Sequence, residues 1–141
     1  MKFRVISVTP FQQNCSLLWC EETRQGAVVD PGGDLDLILA SAAQLGVRIV
    51  KILLTHGHID HAGGAAELAA RLDIPIEGPQ QEERFWIDQL PQQGQMFGLG
   101  HAASFTPDRW LNDGDTVSFG KITLSVLHCP GHTPGHVVFF H

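Results

Sequence analysis

The feature that most constrains this chain is an apolar run that ends in a cluster of imidazoles. Val47-Arg48-Ile49-Val50-Lys51-Ile52-Leu53-Leu54 leads directly into Thr55-His56-Gly57-His58-Ile59-Asp60-His61. A run rich in Val and Ile reads as a buried strand. The small-residue segment Ala62 to Leu68 that follows begins a helix. A strand that turns into a helix delivers the loop side chains to the carboxyl end of a sheet. Four metal-capable groups therefore leave the sheet at one point.

His56 and His58 are two apart, and alternate side chains of extended backbone share a face, so both imidazoles can reach one ion. Asp60 and His61 lie where the chain turns into the helix, and neighbours there diverge. The pattern suits two ions, one held by His56 and His58, the other by Asp60 and His61. Imidazole with carboxylate fits zinc, iron or manganese rather than calcium or magnesium. Catalytic zinc commonly takes three protein ligands and leaves one position for water. His132, in Cys129-Pro130-Gly131-His132-Thr133-Pro134-Gly135-His136, is the candidate third ligand of the first ion. The Pro and Gly residues exclude a helix there, so His132 and His136 point differently. His132 is assigned to metal and His136 to an outer hydrogen bond. Asp30, before Pro31-Gly32-Gly33, is either a turn residue or an acceptor that orients the loop. His101 and His128 read as structural or exposed.

The remaining pattern places this loop in an α/β (α+β) chain. Phe3–Val8, Cys15–Cys20 and Gly26–Asp30 read as three short strands of an antiparallel meander. Asp34 is a natural N-cap for an amphipathic helix that Gly46 stops. Ala65–Leu72 is a second helix, and Ile74–Ile76 a short strand. Glu82 to Leu90 reads as a helix ended by Pro91, and Gln92 to Pro107 as an unpatterned loop. Thr116–Phe119 and Lys121–Leu127 form a hairpin through Gly120, and Val137–Phe140 begins another strand.

The 141 residues fit a single domain, 1–141, with 43% hydrophobic and 17% charged residues. Nine basic and fifteen acidic residues give a formal charge of −6. Without a basic stripe, we expect no nucleic-acid partner. No apolar stretch approaches the roughly 20 residues of a membrane span, and Met1-Lys2-Phe3-Arg4-Val5 is not signal-like. Cys15, Cys20 and Cys129 read as buried reduced thiols. These readings together point to a cytoplasmic location.

The motifs resemble the metallo-β-lactamase superfamily. Thr55-His56-Gly57-His58-Ile59-Asp60-His61 matches its H-x-H-x-D-H motif, and Val29 to Gly33 and Pro130 to His136 look like two further motifs of its glyoxalase II-like branch. The similarity is greatest to short bacterial members without a separate glutathione-binding domain. The resemblance implies an αββα sandwich with one or two metals where two sheets meet. His56, His58 and His132 would hold the first ion, and Asp60 and His61 the second. It implies hydrolysis of a thioester such as S-lactoylglutathione through a metal-activated hydroxide, with Asp60 also orienting that hydroxide. Lactonases, ribonucleases and iron persulfide dioxygenases share the motif, though the acidic charge weighs against the ribonuclease. The family's later bridging Asp and last His have no counterpart after Asp115. We therefore expect a sandwich incomplete at its C-terminus, and an inactive metal-binding fragment as the alternative to an enzyme.

Overall fold

The structure, a computed structural model, describes residues 1–98 and 102–141. His101 lies outside them. Strands β1 (Lys2–Val8), β2 (Gln13–Trp19) and β3 (Gln25–Val29) form the expected antiparallel meander, and β4 (Arg48–Leu53) and β5 (Ile76–Glu77) add in parallel, giving the order β1-β2-β3-β4-β5. A second antiparallel sheet, β6-β7-β8, comprises Thr116–Phe119, Ile122–His128 and Val137–Phe140. The helices are α1 (Leu35–Leu45), α2 (Ile59–Ala62), α3 (Ala65–Leu72), α4 (Arg84–Asp88) and α5 (Leu90–Phe97).

The central strands of the first sheet, β2 to β4, pack on both faces while β1 is largely exposed, which explains why β4 carries no strict polar alternation. One face packs Cys15, Leu17, Val28, Ile49 and Ile52 against Leu35 and Ile38 of α1 and Leu68 of α3. The other packs Ala27 and Leu53 against Val117, Phe119, Leu124, Val126 and Val137 of the second sheet. The layers are thus helices, sheet, sheet. Ile49 and Ile52 share a face although three apart, because the β3–β4 register shifts between Gly26 and Ala27. That shift also sends Leu53 to the inter-sheet face and Leu54 to the helical one.

Four local expectations need correction. Asp34 is not a side-chain cap: its backbone is left-handed (φ 52°), and its carboxylate accepts the Thr9 N–H at 2.7 Å, because the β1–β2 turn comes within reach. Pro91 does not end a helix but sits in the first turn of α5, where a missing N–H costs nothing. Gln92–Phe97 is consequently helical rather than loop, and Gly98 closes it in a left-handed conformation. Cys15 and Cys20 are buried and unpaired as expected, but Cys129 is exposed, since the chain has already left the second sheet there. No helix is long and apolar enough to cross a membrane among the described residues.

Leu53 is fully buried between the two sheets. Leu53→Ala is expected to cost about 2–5 kcal/mol through lost transfer energy and a residual cavity, read as a lower urea midpoint with an unchanged slope.

Candidate metal centre

β4 ends at Leu53, and the backbone beyond it carries Thr55, His56, Gly57 and His58 into α2, which holds Asp60 and His61. The second loop lies between β7 and β8. The Val137 N–H at the start of β8 donates to the Thr55 carbonyl at 2.8 Å, so the two sheets meet where the two His-bearing loops meet. As a result the His56 ring lies 5.0 Å from that of His58, 4.1 Å from His61, 5.1 Å from His132 and 4.8 Å from His136, centroid to centroid. His56, His58 and His132 each offer a ligand atom within 4.8 Å of the others, and so do Asp30, His56 and His61.

Asp30 orders this cluster. It is buried and sits with φ 57° at the end of β3. Its Oδ1 accepts the Thr55 N–H at 2.8 Å, and its Oδ2 accepts the Thr55 hydroxyl at 2.6 Å and His61 Nδ1–H at 2.9 Å. Of the two readings left open for Asp30, the structure selects the acceptor that orients the loop. Because the Thr55 proton goes to Asp30, Thr55 Oγ is left to accept from His56 Nδ1–H, 2.8 Å away. That fixes the tautomer and leaves the lone pair on His56 Nε2. This atom is buried and has no hydrogen-bond partner among the described residues. A buried imidazole lone pair aimed into a group of imidazoles is what a borderline metal ion satisfies, so the residues present fit such an ion.

The electrostatics agree. Burial, reinforced by the neighbouring His61, His136, His58 and His132, lowers the His56 pKa to about 2. Burial and His132 lower His58, and burial, His132 and His61 lower His136. His61 goes the other way: burial lowers it, but the bond to Asp30 and the charges of Asp30 and Asp60 outweigh that and raise it. The Asp60 carboxylate stands 3.7 Å from His61 Nε2, about one-third exposed. His128 is tied elsewhere, to the Pro134 carbonyl at 2.8 Å.

Beside the imidazoles lies a cavity of about 430 Å³ lined by Phe11, His58, Ile59, Asp60, Trp86, Gln93 and Phe97. Trp86 stands edge-on to His58 at 4.7 Å. Most of this wall is apolar, with Asp60 and His58 at one side.

The family model for the metallo-β-lactamase superfamily matches residues 8–141. The chain belongs to this superfamily. Hydroxyacylglutathione hydrolase GloC of Haemophilus influenzae is 41% identical over 140 residues, covering 99% of this chain and 66% of that protein. A hydroxyacylglutathione hydrolase of Bdellovibrio bacteriovorus is 33% identical over 139 residues, covering 99% of this chain and 48% of that one. The chain thus spans two-thirds or less of the length of these relatives. Among solved structures, the B3 metallo-β-lactamase BLEG-1 superposes with a TM-score of 0.86 at 28% identity, covering 99% of this chain and 67% of its own. TTHA1623 in a di-iron-bound form gives 0.83 at 32% identity, covering 97% and 66%. The metallo-β-lactamase fold expected from the motifs is the fold observed, represented here by its helical layer and two facing sheets.

Two ordering residues carried no distinct sequence signal. Asp30 could be read two ways. Glu83, fully buried and bonded to both His-bearing loops, follows Glu82 in an otherwise ordinary helix start. Only its spacing of three and four from Trp86 and Ile87 marks it as facing inward.

The shifts make metal-free stability pH-dependent. His56, His58 and His136 have folded pKa values below the ordinary 6.5, so the unfolded chain binds more protons than the folded one on acidification. Their contribution is complete above about 6.5 and lost as pH falls toward the folded values. His61, raised, contributes in the opposite sense: its share is present in acid and lost as pH rises through its folded value. Three groups outweigh one. Metal-free chain is expected to unfold at lower urea at pH 5 than at pH 7, with about 1.4 kcal/mol per pH unit for each net proton. His56→Gln should flatten that slope.

Proposed function

We propose that the chain is a metal-dependent hydrolase of a thioester or related ester, with S-lactoylglutathione as the representative substrate. The observation that carries this reading is the convergence of His56, His58 and His132 on the unpartnered His56 Nε2. The hydroxyacylglutathione hydrolase relatives support the thioester, and the His-rich site together with the di-iron relative supports a transition metal. His56, His58 and His132 would hold the first ion, and Asp60 and His61 the second. Zinc is the leading candidate, with iron and manganese suited to the same donors. When bound, such ions supply a water-derived nucleophile at neutral pH and polarise the carbonyl under attack.

The protein's own groups do the rest. Asp30, through Thr55, presents His56 with its lone pair inward, and holds His61 directly. Asp60, at the side of the cavity, accepts a hydrogen bond from the attacking water and so orients its oxygen toward the carbonyl carbon. The water oxygen bonds to that carbon, the carbon–sulfur bond breaks, and the thiol departs carrying a proton. Phe11, Trp86 and Phe97 offer the substrate an apolar wall beside the reacting group. A soluble small-molecule substrate and a cytoplasmic setting belong to the same proposal.

Metal analysis of the parent chain beside Asp60→Ala tests the assignment. The expected result is two ions in the parent and one in the variant, with S-lactoylglutathione hydrolysis, followed as released thiol, falling at least about 100-fold. Equal metal content in both would remove Asp60 from the ligands. Absence of turnover in the loaded parent with zinc, iron and manganese in turn would sink the hydrolase reading and leave a metal-binding chain.

A further inference from the structure

We propose that Glu83 is a positioning residue that sets the separation of the two His-bearing loops, by accepting one backbone N–H from each with a single buried carboxylate. The proposal rests on the metal reading above for its consequence, but its geometry stands without it. Glu83 closes a short 3₁₀ turn (Gln81–Glu83) just before α4 and is completely shielded from solvent. Its Oε1 accepts the N–H of Gly57, the residue between His56 and His58, at 2.9 Å. Its Oε2 accepts the N–H of Gly135, the neighbour of His136 in the second loop, also at 2.9 Å.

Both contacts require glycine. A Cβ on Gly57 would stand 2.9 Å from Trp86 Cβ, and one on Gly135 would stand 2.7 Å from Glu83 Cγ and 2.8 Å from the Gln80 carbonyl. The second loop is further fastened by the Gln80 N–H, which donates to the Gly135 carbonyl at 3.2 Å. The backbone amides that meet Glu83 thus belong to loops 78 residues apart in sequence (135 less 57), joined through one side chain. A carboxylate suits this place because both of its oxygens are acceptors. An amide has one acceptor and would turn N–H against N–H at the other loop, leaving a buried donor unpaired. On the same helix face, Trp86 stands against His58 and Ile87 enters the core, so the helix is anchored one turn beyond Glu83.

The test compares the parent chain with Glu83→Gln, which conserves volume. Two measurements are made: zinc affinity by competition with a chromogenic chelator, and hydrogen exchange of the Gly57 and Gly135 amides by NMR in the metal-free state. In the parent, both amides should exchange slowly. Glu83→Gln should weaken zinc binding by about 10–100-fold, the range seen for groups that orient ligands, and should speed exchange at one of the two glycines. A residue that only fills space would leave the isosteric variant with parental zinc affinity and parental exchange, and that result overturns the proposal. If the variant does not fold, the parent decides alone: fast exchange at Gly57 or Gly135 overturns the clamp. A parent chain that binds no zinc while both amides exchange slowly would sink the metal reading and leave the clamp intact.

Discussion

The site depends on holding the imidazoles of two distant loops in ring contact. Burial and neighbouring imidazoles oppose protonation of His56, His58 and His136, and burial leaves the lone pair of His56 Nε2 unsatisfied. Such a cluster persists only where surrounding groups over-determine it. The superfamily fold does this by placing the loops at the junction of two sheets. β4 runs out of the first sheet at Leu53, β8 enters the second at Val137, and the bond from the Val137 N–H to the Thr55 carbonyl joins the two ends.

Around that junction, carboxylates settle the details. Asp30 orients the first loop from the sheet side and fixes the tautomer of His56 through Thr55. Close packing supports it: a Cβ on Gly32 would overlap the Asp60 carbonyl, and the Gly64 N–H donates to the Pro31 carbonyl at 3.0 Å. The Pro-Gly-Gly turn and the His-bearing segment are therefore one packed unit. Asp30 accepts three hydrogen bonds, which leaves it an orienting group and leaves Asp60 as the carboxylate at the cavity.

Much of this was legible in the residues. Alternation and β-branching placed the first meander, the β6–β7 hairpin and β8, and the spacing of His56 and His58 placed two imidazoles together. The H-x-H-x-D-H motif carried the fold. What escaped was settled by tertiary contact rather than by local pattern. Asp34 reads as a cap in any local account, yet Thr9, 25 residues earlier, takes its carboxylate. Pro91 reads as a stop, yet the turn before it lets it start a helix. Glu83 stands beside Glu82 in a stretch that reads as a helix, and beyond its spacing from Trp86 and Ile87 nothing local foretells the loop that arrives some fifty residues later to meet its carboxylate.

The two loops converge in a geometry that would hold a metal ion. Anomalous diffraction from crystals of the zinc-loaded chain tests it most directly. A peak is expected within about 2.0–2.1 Å of an imidazole nitrogen of each of His56, His58 and His132, with His56 bound through Nε2. A peak that spares His132, or that lies on His56 Nδ1 with Thr55 displaced, would contradict it.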